Sequence, residues 1–167
     1  MPLRARRIRM IAAALCVASS AHADDLRSSY IWTLSAGGGT PKLGLQSRDP
    51  DRRSMAFERF FMTCRRAGGV EIVAWPVDPK QRDPEPGMPA NLATDTTHHP
   101  LRGWRRSYNE MDEVVQISVV APDLSPVRDM IGAASIRFGV EGISLALPVA
   151  TSAVRGFLTR CTRYAPH

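Results

Sequence analysis

Hydrophobic and polar residues alternate in short runs through much of the chain, and this period of two is typical of β-strands with one buried face. In the first half, the runs predict four strands, at 30–34, 42–46, 57–64 and 70–75. Turn-forming residues separate the last two strands, which therefore form a predicted hairpin. Phe60, Met62 and Cys64 share one face of the first hairpin strand, so Cys64 is expected to face the core.

The alternation stops between residues 76 and 112. Six prolines and many charged residues fall in this segment, and proline lacks the backbone donor that sheets and helices need. The segment is therefore predicted to be a long loop, of the kind that is functional or disordered in compact domains. Alternation returns in three runs, which predict further strands at 114–120, 134–140 and 143–147, the last two joined at Glu141-Gly142.

Two helices are predicted in the second half. A short one spans 125–132, with Ser125 as its N-cap and Pro126 in the first helical position. The other spans 151–163 and carries one apolar stripe, formed by Val154, Phe157, Leu158 and Cys161. Cys161 is therefore expected to face the core, as Cys64 does.

These elements predict an α+β or mainly β fold. We expect an antiparallel sheet or sandwich of about six or seven strands, a short helix and a C-terminal helix clamped by a disulfide. The sequence shows no internal repeat and no sign of a second core. Residues 24–167 are therefore expected to form a single globular domain that carries the long proline-rich loop at 76–112.

The first 23 residues have the composition of an export signal. Four arginines precede an uncharged apolar run at 10–18, and Ala21-His22-Ala23 offers the small residues that a signal peptidase reads. The run is shorter than the ~20 residues of a membrane span, and no later stretch is long enough. We therefore expect a signal peptide at 1–23, a periplasmic or secreted mature chain, and no transmembrane span after cleavage.

Removal of this signal changes the charge balance. The whole chain has 22 basic and 16 acidic residues, and the signal holds four of the bases and none of the acids. The mature chain therefore keeps 18 bases against 16 acids, a net charge of +2. Such a small excess does not favour nucleic acid as a partner.

Two cysteines remain after cleavage, Cys64 and Cys161. An even number of cysteines in an oxidising compartment predicts one disulfide between them, and the alternative is a pair of buried free thiols. The bridge would close a loop of about 100 residues. By restricting the unfolded chain, it would stabilise the fold by about 4–5 kcal/mol.

The segment Phe61-Met62-Thr63-Cys64, together with Trp32, Phe138…Gly142…Leu147 and Phe157-Leu158…Cys161, resembles small exported proteins of Gram-negative bacteria. These include uncharacterised alphaproteobacterial periplasmic proteins. The layout is also similar to the invasion-associated locus B family and to a periplasmic accessory family of type VI secretion. The resemblance covers 30–75 and 114–161. It implies an envelope protein that binds proteins or surface structures, and it implies no catalytic residues.

The mature sequence carries none of the common catalytic motifs, neither Gly-x-Ser-x-Gly nor Ser-x-x-Lys nor Cys-x-x-Cys. The glycines at 37–39 lack the Gly-Lys-Ser/Thr ending of a phosphate-binding loop. His98-His99, with Asp95 nearby, is interpreted as a solvated pair, because adjacent residues of an extended chain rarely present both rings to one metal ion. A catalytic dyad of Cys64 with His98 stays open as an alternative. No enzymatic activity, metal or cofactor is predicted.

Aromatic and basic residues alternate near the end of the predicted loop, as Arg102, Trp104, Arg105, Arg106 and Tyr108. These residue types are enriched at binding hot spots, and arginine recognises carboxylates and phosphates with two parallel hydrogen bonds. The pattern predicts a contact surface for an acidic protein, a lipid headgroup or an anionic glycan. The alternative is that the two aromatic rings pack into the core and the arginines are only solvated.

The sequence therefore predicts an exported, non-enzymatic envelope protein that acts as a binding or accessory module. Its expected partner is an envelope or secreted protein, or an anionic surface component. The alternative is an inhibitor of a secreted hydrolase, in which the loop at 76–112 is inserted into the enzyme.

Overall fold

The computed structural model describes residues 23–37, 39–49, 58–75, 87–109, 114–140 and 143–165. Residues 1–22 of the predicted signal peptide, residues 50–57 and the predicted turn at 141–142 lie outside these ranges. The described part forms eleven strands and two helices. They are β1 (Ala23–Asp25), β2 (Tyr30–Gly37), β3 (Thr40–Ser47), β4 (Phe60–Cys64), β5 (Val70–Ala74), β6 (Ala90–Thr94), β7 (His98–Leu101), β8 (Arg105–Asn109), β9 (Val114–Ala121), α1 (Ser125–Asp129), β10 (Ile136–Val140), β11 (Ile143–Leu147) and α2 (Ser152–Tyr164).

The strands form two sheets that share one core. The larger sheet has the order β2-β3-β4-β5-β9-β8, and the smaller has the order β1-β11-β10-β6-β7. All pairings are antiparallel except that of β1 with β11. The sheets meet where the ring of Phe60 on β4 packs edge-on against Phe138 on β10, with ring centroids 5.6 Å apart. The predicted class, mostly antiparallel β with two helices, is confirmed.

The number of strands exceeds the prediction because the segment at 76–112 is not one long loop. Within it, β6, β7 and β8 pair with neighbours in both sheets. The expectation of a loop was wrong for these strands because proline is compatible with positions where no ladder bond is needed. Pro89 directly precedes β6, and Pro100 lies in β7, the last strand of its sheet. Residues 76–86 and 110–113 lie outside the described part.

The C-terminal helix α2 is capped at its start and is held against the larger sheet near its end. Thr151 is its N-cap, and the side chain of Thr151 accepts a hydrogen bond from the backbone of Ala153. The disulfide between Cys64 of β4 and Cys161 of α2 is confirmed, with Cα atoms 5.3 Å apart. Beyond it, the hydroxyl of Tyr164 lies 2.9 Å from that of Thr40. The helix that carries the predicted apolar stripe is therefore covalently and non-covalently fixed.

The turn of the β4–β5 hairpin depends on a glycine. Gly69 has φ +73°, a conformation that only glycine adopts readily. A Cβ atom at this position would lie 2.1 Å from the carbonyl oxygen of Ala121, at the end of β9. The absence of a side chain thus lets the hairpin turn lie directly on the neighbouring strand, close to Cys64.

The predicted short helix is present as α1, but it begins differently. Leu124 is the N-cap and has no side-chain atom that could accept a capping hydrogen bond, while Ser125 is already the first helical residue. The carboxylate of Asp123 accepts hydrogen bonds from the backbone N–H of Ser125 at 2.7 Å and from its hydroxyl. A carboxylate therefore takes the role that was expected of the serine.

Candidate functional site

The predicted contact residues lie at the junction of β7 and β8, on the edges of the two sheets. Trp104 is half-buried, packs against the core and donates its indole N–H to the carbonyl oxygen of Met88 at 2.6 Å. This is the arrangement of the alternative in which the tryptophan packs inward. Arg102, Arg105 and Arg106 are exposed, whereas the side chain of Tyr108 lies outside the described part.

The arginines of this segment do not lie on one surface. Arg105 is paired with Ser118 and Arg106 with Ile117 in the β8–β9 ladder. Residues directly opposite each other in an antiparallel pair share a face of the sheet. Arg106 is therefore on the face of the buried Ile117, and Arg105 is on the opposite face. A flat partner could not contact both guanidinium groups equally.

The two adjacent histidines are also separated by strand geometry. They are consecutive in β7, so their side chains point to opposite faces. His98 is exposed, and the Nε2 atom of His99 lies 2.9 Å from a carboxylate oxygen of Asp129 in α1. Within the described ranges, no group of three histidine, cysteine or acidic residues is placed to hold a metal ion.

Close to the contact of His99 with Asp129, Asp123 is held as a carboxylate. The hydroxyl and the backbone N–H of Ser125 lower the pKa of Asp123, and the positive charges of His99 and Arg128 contribute in the same direction. The hydroxyl of Ser125 points to a carboxylate that also anchors the start of α1. This contact explains the position of the serine without a catalytic role.

A cavity of about 400 Å³ lies on the other side of the molecule, where β1 and β2 meet the beginning of α2. The N-terminal part of the chain contributes Arg27, Tyr30, Ile31, Trp32 and Arg48 to its wall. The C-terminal part contributes Pro148, Val149, Thr151, Ser152 and Ala153. Its size is within the ~300–1,000 Å³ that is usual for sites that bind small molecules. We refer to it as the corner cavity.

Backbone hydrogen bonds hold the arginine side of the corner cavity. The N–H of Leu26 donates to the carbonyl of Ala146 at 3.0 Å, which attaches the β1–β2 turn to β11. The N–H of Tyr30 closes the turn by donating to Leu26, and the N–H of Arg48 donates to Ser29 at 2.9 Å. The turn that carries Arg27 is thereby joined to the end of β3, which carries Arg48.

The opposite wall is organised by Trp32. Its indole N–H lies 3.2 Å from the carbonyl oxygens of both Pro148 and Val149, in the connection between β11 and α2. Its ring is 6% exposed and packs edge-on against Phe60. A rigid ring with a shared hydrogen bond therefore positions the segment that leads into α2.

The described lining of the corner cavity contains two basic residues, Arg27 and Arg48, and no acidic residue. Both arginines also have interactions within the protein. The N-terminus of α2 also faces the corner cavity through Ser152 and Ala153, and the first turn of that helix has no acidic residue. Because helix N-termini carry partial positive charge, the helix adds to the potential of the arginines.

Sequence reasoning did not identify this cavity. Its wall combines residues that are more than one hundred positions apart, as the bond between Trp32 and Val149 illustrates. Arg27 and Arg48 are single basic residues in turns, without the local clustering that drew attention to Arg105 and Arg106. The one local signal was Trp32, which the resemblance singled out without a role.

Comparison of the chain with protein-family models, with curated proteins and with solved structures found no match in any of the three. The resemblance to exported Gram-negative proteins therefore stays a prediction. Of the helices in the described part of the chain, none has the length and apolar character needed to cross a membrane.

Proposed function

We propose that the protein is an exported, non-enzymatic envelope protein that acts as a binding or accessory module. The observation that carries this proposal is the corner cavity, a preformed site between two sheets and a helix. Its wall offers guanidinium groups, hydroxyls and apolar surface, and these groups bind and orient ligands.

Two features support the export of the chain. The disulfide between Cys64 and Cys161 is of the kind that persists in oxidising compartments. Cleavage after Ala23 would leave Asp24 and Asp25 paired with Leu145 and Ala146, so most of the β1–β11 contact would remain in the mature protein. The signal and the fold are therefore compatible.

The structure adds no support for the alternative that the protein inhibits a secreted hydrolase. That alternative required a protruding loop at 76–112, and β6, β7 and β8 of this segment belong to the two sheets.

Export is tested by expressing the full chain in a Gram-negative host and sequencing the amino terminus of the protein in the periplasmic fraction. We expect a chain that begins at Asp24 and has no thiol that can be labelled before reduction. A full-length cytoplasmic chain with three reactive thiols, Cys16, Cys64 and Cys161, would contradict the proposal.

Binding is tested by obstructing the corner cavity. Ser152 lines it and is exposed, so Ser152→Trp places a large ring there without altering the core. Thr159→Trp is the matched control, because Thr159 is an exposed residue of the same helix outside the lining. Native mass spectrometry of protein incubated with an envelope extract should show a bound species with wild type and control, and none with Ser152→Trp. Equal spectra for all three proteins would contradict a binding role for the cavity.

A further inference from the structure

The C-terminal part of the chain is basic and has no acidic residue. Residues 142–167 contain three arginines, all of them in α2, and neither aspartate nor glutamate. These arginines, Arg155, Arg160 and Arg163, are all exposed. Because the mature chain is close to neutral as a whole, its basic charge is concentrated on the outer side of α2.

Tyr164, at the end of α2, lies among three arginines. Arg160 and Arg163 are three positions apart, and Arg160 is four positions before Tyr164, so these residues are neighbours on the helix surface. Arg66, in the turn of the β4–β5 hairpin, donates from Nε to the hydroxyl of Tyr164 at 3.3 Å, and its guanidinium carbon lies 5.9 Å from the centre of the tyrosine ring. We refer to Arg66, Arg160 and Arg163 as the arginine surface.

The arginine surface is fixed by the disulfide. Cys64 lies two positions before Arg66, and Cys161 directly follows Arg160, with the two Cα atoms 5.3 Å apart. The fold therefore holds basic residues of a hairpin and of a helix together, although like charges at close spacing repel each other. The helix dipole favours a basic residue in the last turn of α2, but it does not account for an arginine that comes from a different element.

The charge of the arginine surface is not neutralised within the described part of the chain. There, the side chains of Arg160 and Arg163 form neither an ion pair nor a hydrogen bond, and that of Arg66 contacts only Tyr164. The hydrogen bond of Arg66 uses its Nε, so the two terminal nitrogens of this guanidinium group are left to donate to an anion.

The acidic residues beside α1, which contacts α2, are engaged with other groups. Asp129 lies 2.9 Å from Nε2 of His99, and Asp123 accepts hydrogen bonds from Ser125. The positive groups that lower the pKa of Asp123 are His99 and Arg128, neither of which belongs to the arginine surface. The arginine surface is therefore open to an anion from outside the chain.

The surroundings favour a membrane over a protein as the source of this anion. Thr159 and Thr162 share the exposed side of α2, and their hydroxyls donate to carbonyl oxygens of the same helix. No large hydrophobic side chain of α2 is among those that are exposed in the described part of the chain. The centre of a protein interface is usually rich in aromatic residues and poor in charged ones. A polar, basic surface instead matches an anionic bilayer, whose phosphates accept hydrogen bonds from guanidinium groups.

We propose that the arginine surface binds the phosphate headgroups of an anionic phospholipid membrane. The association is peripheral and electrostatic, since α2 offers no exposed apolar side chain to insert between the lipids. This inference rests on the proposed function and deepens it, because it names the anionic surface component to which the exported module attaches. The corner cavity, at the other end of α2, is not part of this contact.

The experiment measures cosedimentation of the protein, purified from full-length expression, with lipid vesicles. One set of vesicles contains equal parts of phosphatidylglycerol and phosphatidylcholine, and the other contains phosphatidylcholine alone. At low salt we expect the protein to sediment with the anionic vesicles and to stay in solution with the neutral ones. Sodium chloride at about 0.5 M should release it, because salt screens exposed charges.

Variants connect the vesicle binding with the arginine surface. Replacing Arg160 and Arg163 together by glutamine should weaken binding to anionic vesicles by about 30-fold, the effect of two basic residues near such a membrane. Replacing both by lysine keeps the charge and should retain most of the binding. The matched control replaces Arg102 and Arg105 by glutamine, which removes the same charge from exposed positions near the β7–β8 junction and should weaken binding by no more than about threefold. Melting temperatures show that each variant is folded.

The outcomes separate this inference from the proposed function. Equal loss in the two glutamine variants would overturn a local surface and leave only an effect of net charge. Equal binding to both kinds of vesicle, or to neither, would overturn the anionic membrane, as would a crosslinked protein partner that only the Arg160 and Arg163 variant loses. If vesicles do not bind while Ser152→Trp abolishes the bound species from the envelope extract, this inference alone is wrong. If the arginine surface binds vesicles and Ser152→Trp has no effect, the inference stands and the binding role of the cavity is wrong.

Discussion

The two sheets are connected at two corners, at which the chain passes from the edge strand of one sheet to the edge strand of the other. The first corner lies between β1 and β2, and the second lies between β7 and β8. Each has exposed arginines nearby and a tryptophan whose indole N–H donates to a backbone carbonyl, Trp32 at the first and Trp104 at the second. The same residue types therefore occur at both corners.

The corners differ in where the arginines lie. At the first, Arg27 and Arg48 come from different turns and line one cavity. At the second, Arg105 and Arg106 are neighbours in sequence, and the alternation of β8 places them on opposite faces. Arginines that are adjacent in sequence thus form one site only where the backbone directs their side chains to the same face. In an extended strand, adjacent side chains point to opposite faces and are separated.

The largest expected effect is the loss of the disulfide, which fixes α2, the helix whose beginning lines the cavity at the first corner. Replacing Cys64 and Cys161 together by serine should lower the free energy of unfolding by about 2–5 kcal/mol. Because α2 forms part of the cavity wall, hydrogen exchange should increase in α2 more than in the β8–β9 ladder. Denaturant titration and hydrogen-exchange mass spectrometry measure both, and a uniform increase across the two corners would show that the bridge does not distinguish them.

The tryptophans test which corner depends more on its indole donor. Trp32→Phe removes a donor shared by two carbonyl groups and should cost about 2 kcal/mol, whereas Trp104→Phe removes one bond at a half-buried site and should cost about 1 kcal/mol. Guanidinium chloride midpoints of the two variants give the comparison. A larger loss of unfolding free energy for Trp104→Phe than for Trp32→Phe would mean that the second corner depends more on its indole hydrogen bond than the first.

The two arginines of the second corner test whether that corner binds a partner. Replacing both Arg105 and Arg106 by alanine should change the free energy of unfolding by no more than about 0.5 kcal/mol, because both side chains are exposed. Guanidinium chloride titration of the double variant provides the measurement, and a larger loss of stability would show that these side chains contribute to the fold. Loss of a crosslinked envelope partner in the double variant would restore the contact surface predicted there.

The smallest effect concerns Asp123, beside the second corner. The Ser125 hydroxyl lowers the pKa of Asp123 below the ordinary 3.8, so Ser125→Ala should raise it toward that value. Since a lowered pKa favours the folded state only while the carboxylate is ionised, this contribution is present above pH ~4 and is lost as the pH falls further. A carboxyl-carbon NMR titration of wild type and variant follows the change. An unchanged midpoint would mean that the hydroxyl does not contact Asp123 in solution.

Elements with strong local periodicity were predictable from the sequence. The hairpin of β4 and β5, the hairpin of β10 and β11, and α2 follow from apolar residues at period two or at helical spacing. The disulfide followed because these same periods place Cys64 and Cys161 on core faces. Local patterns determine which face is buried, and that was sufficient for the pairing.

The remainder depended on long-range contacts. Pro89 and Pro100 suggested a loop, although a proline before a strand or in an edge strand removes no needed hydrogen bond. The corner cavity requires β2 to lie beside the connection after β11, which no local pattern expresses. The position of Trp104 depends equally on its bond to Met88 in a preceding strand connection.

The sequence separation of 97 between Cys64 and Cys161 also determines the order in which they become available during export. A chain that leaves a ribosome or a translocation pore amino end first releases Cys64 early, and Cys161 follows only after all eleven strands have emerged. Until then Cys64 is a thiol without its partner, open to glutathione or to mixed disulfides with an oxidase. The disulfide can therefore form only in chains that have emerged at least as far as α2. A chain that stops earlier keeps Cys64 of β4 as a free thiol.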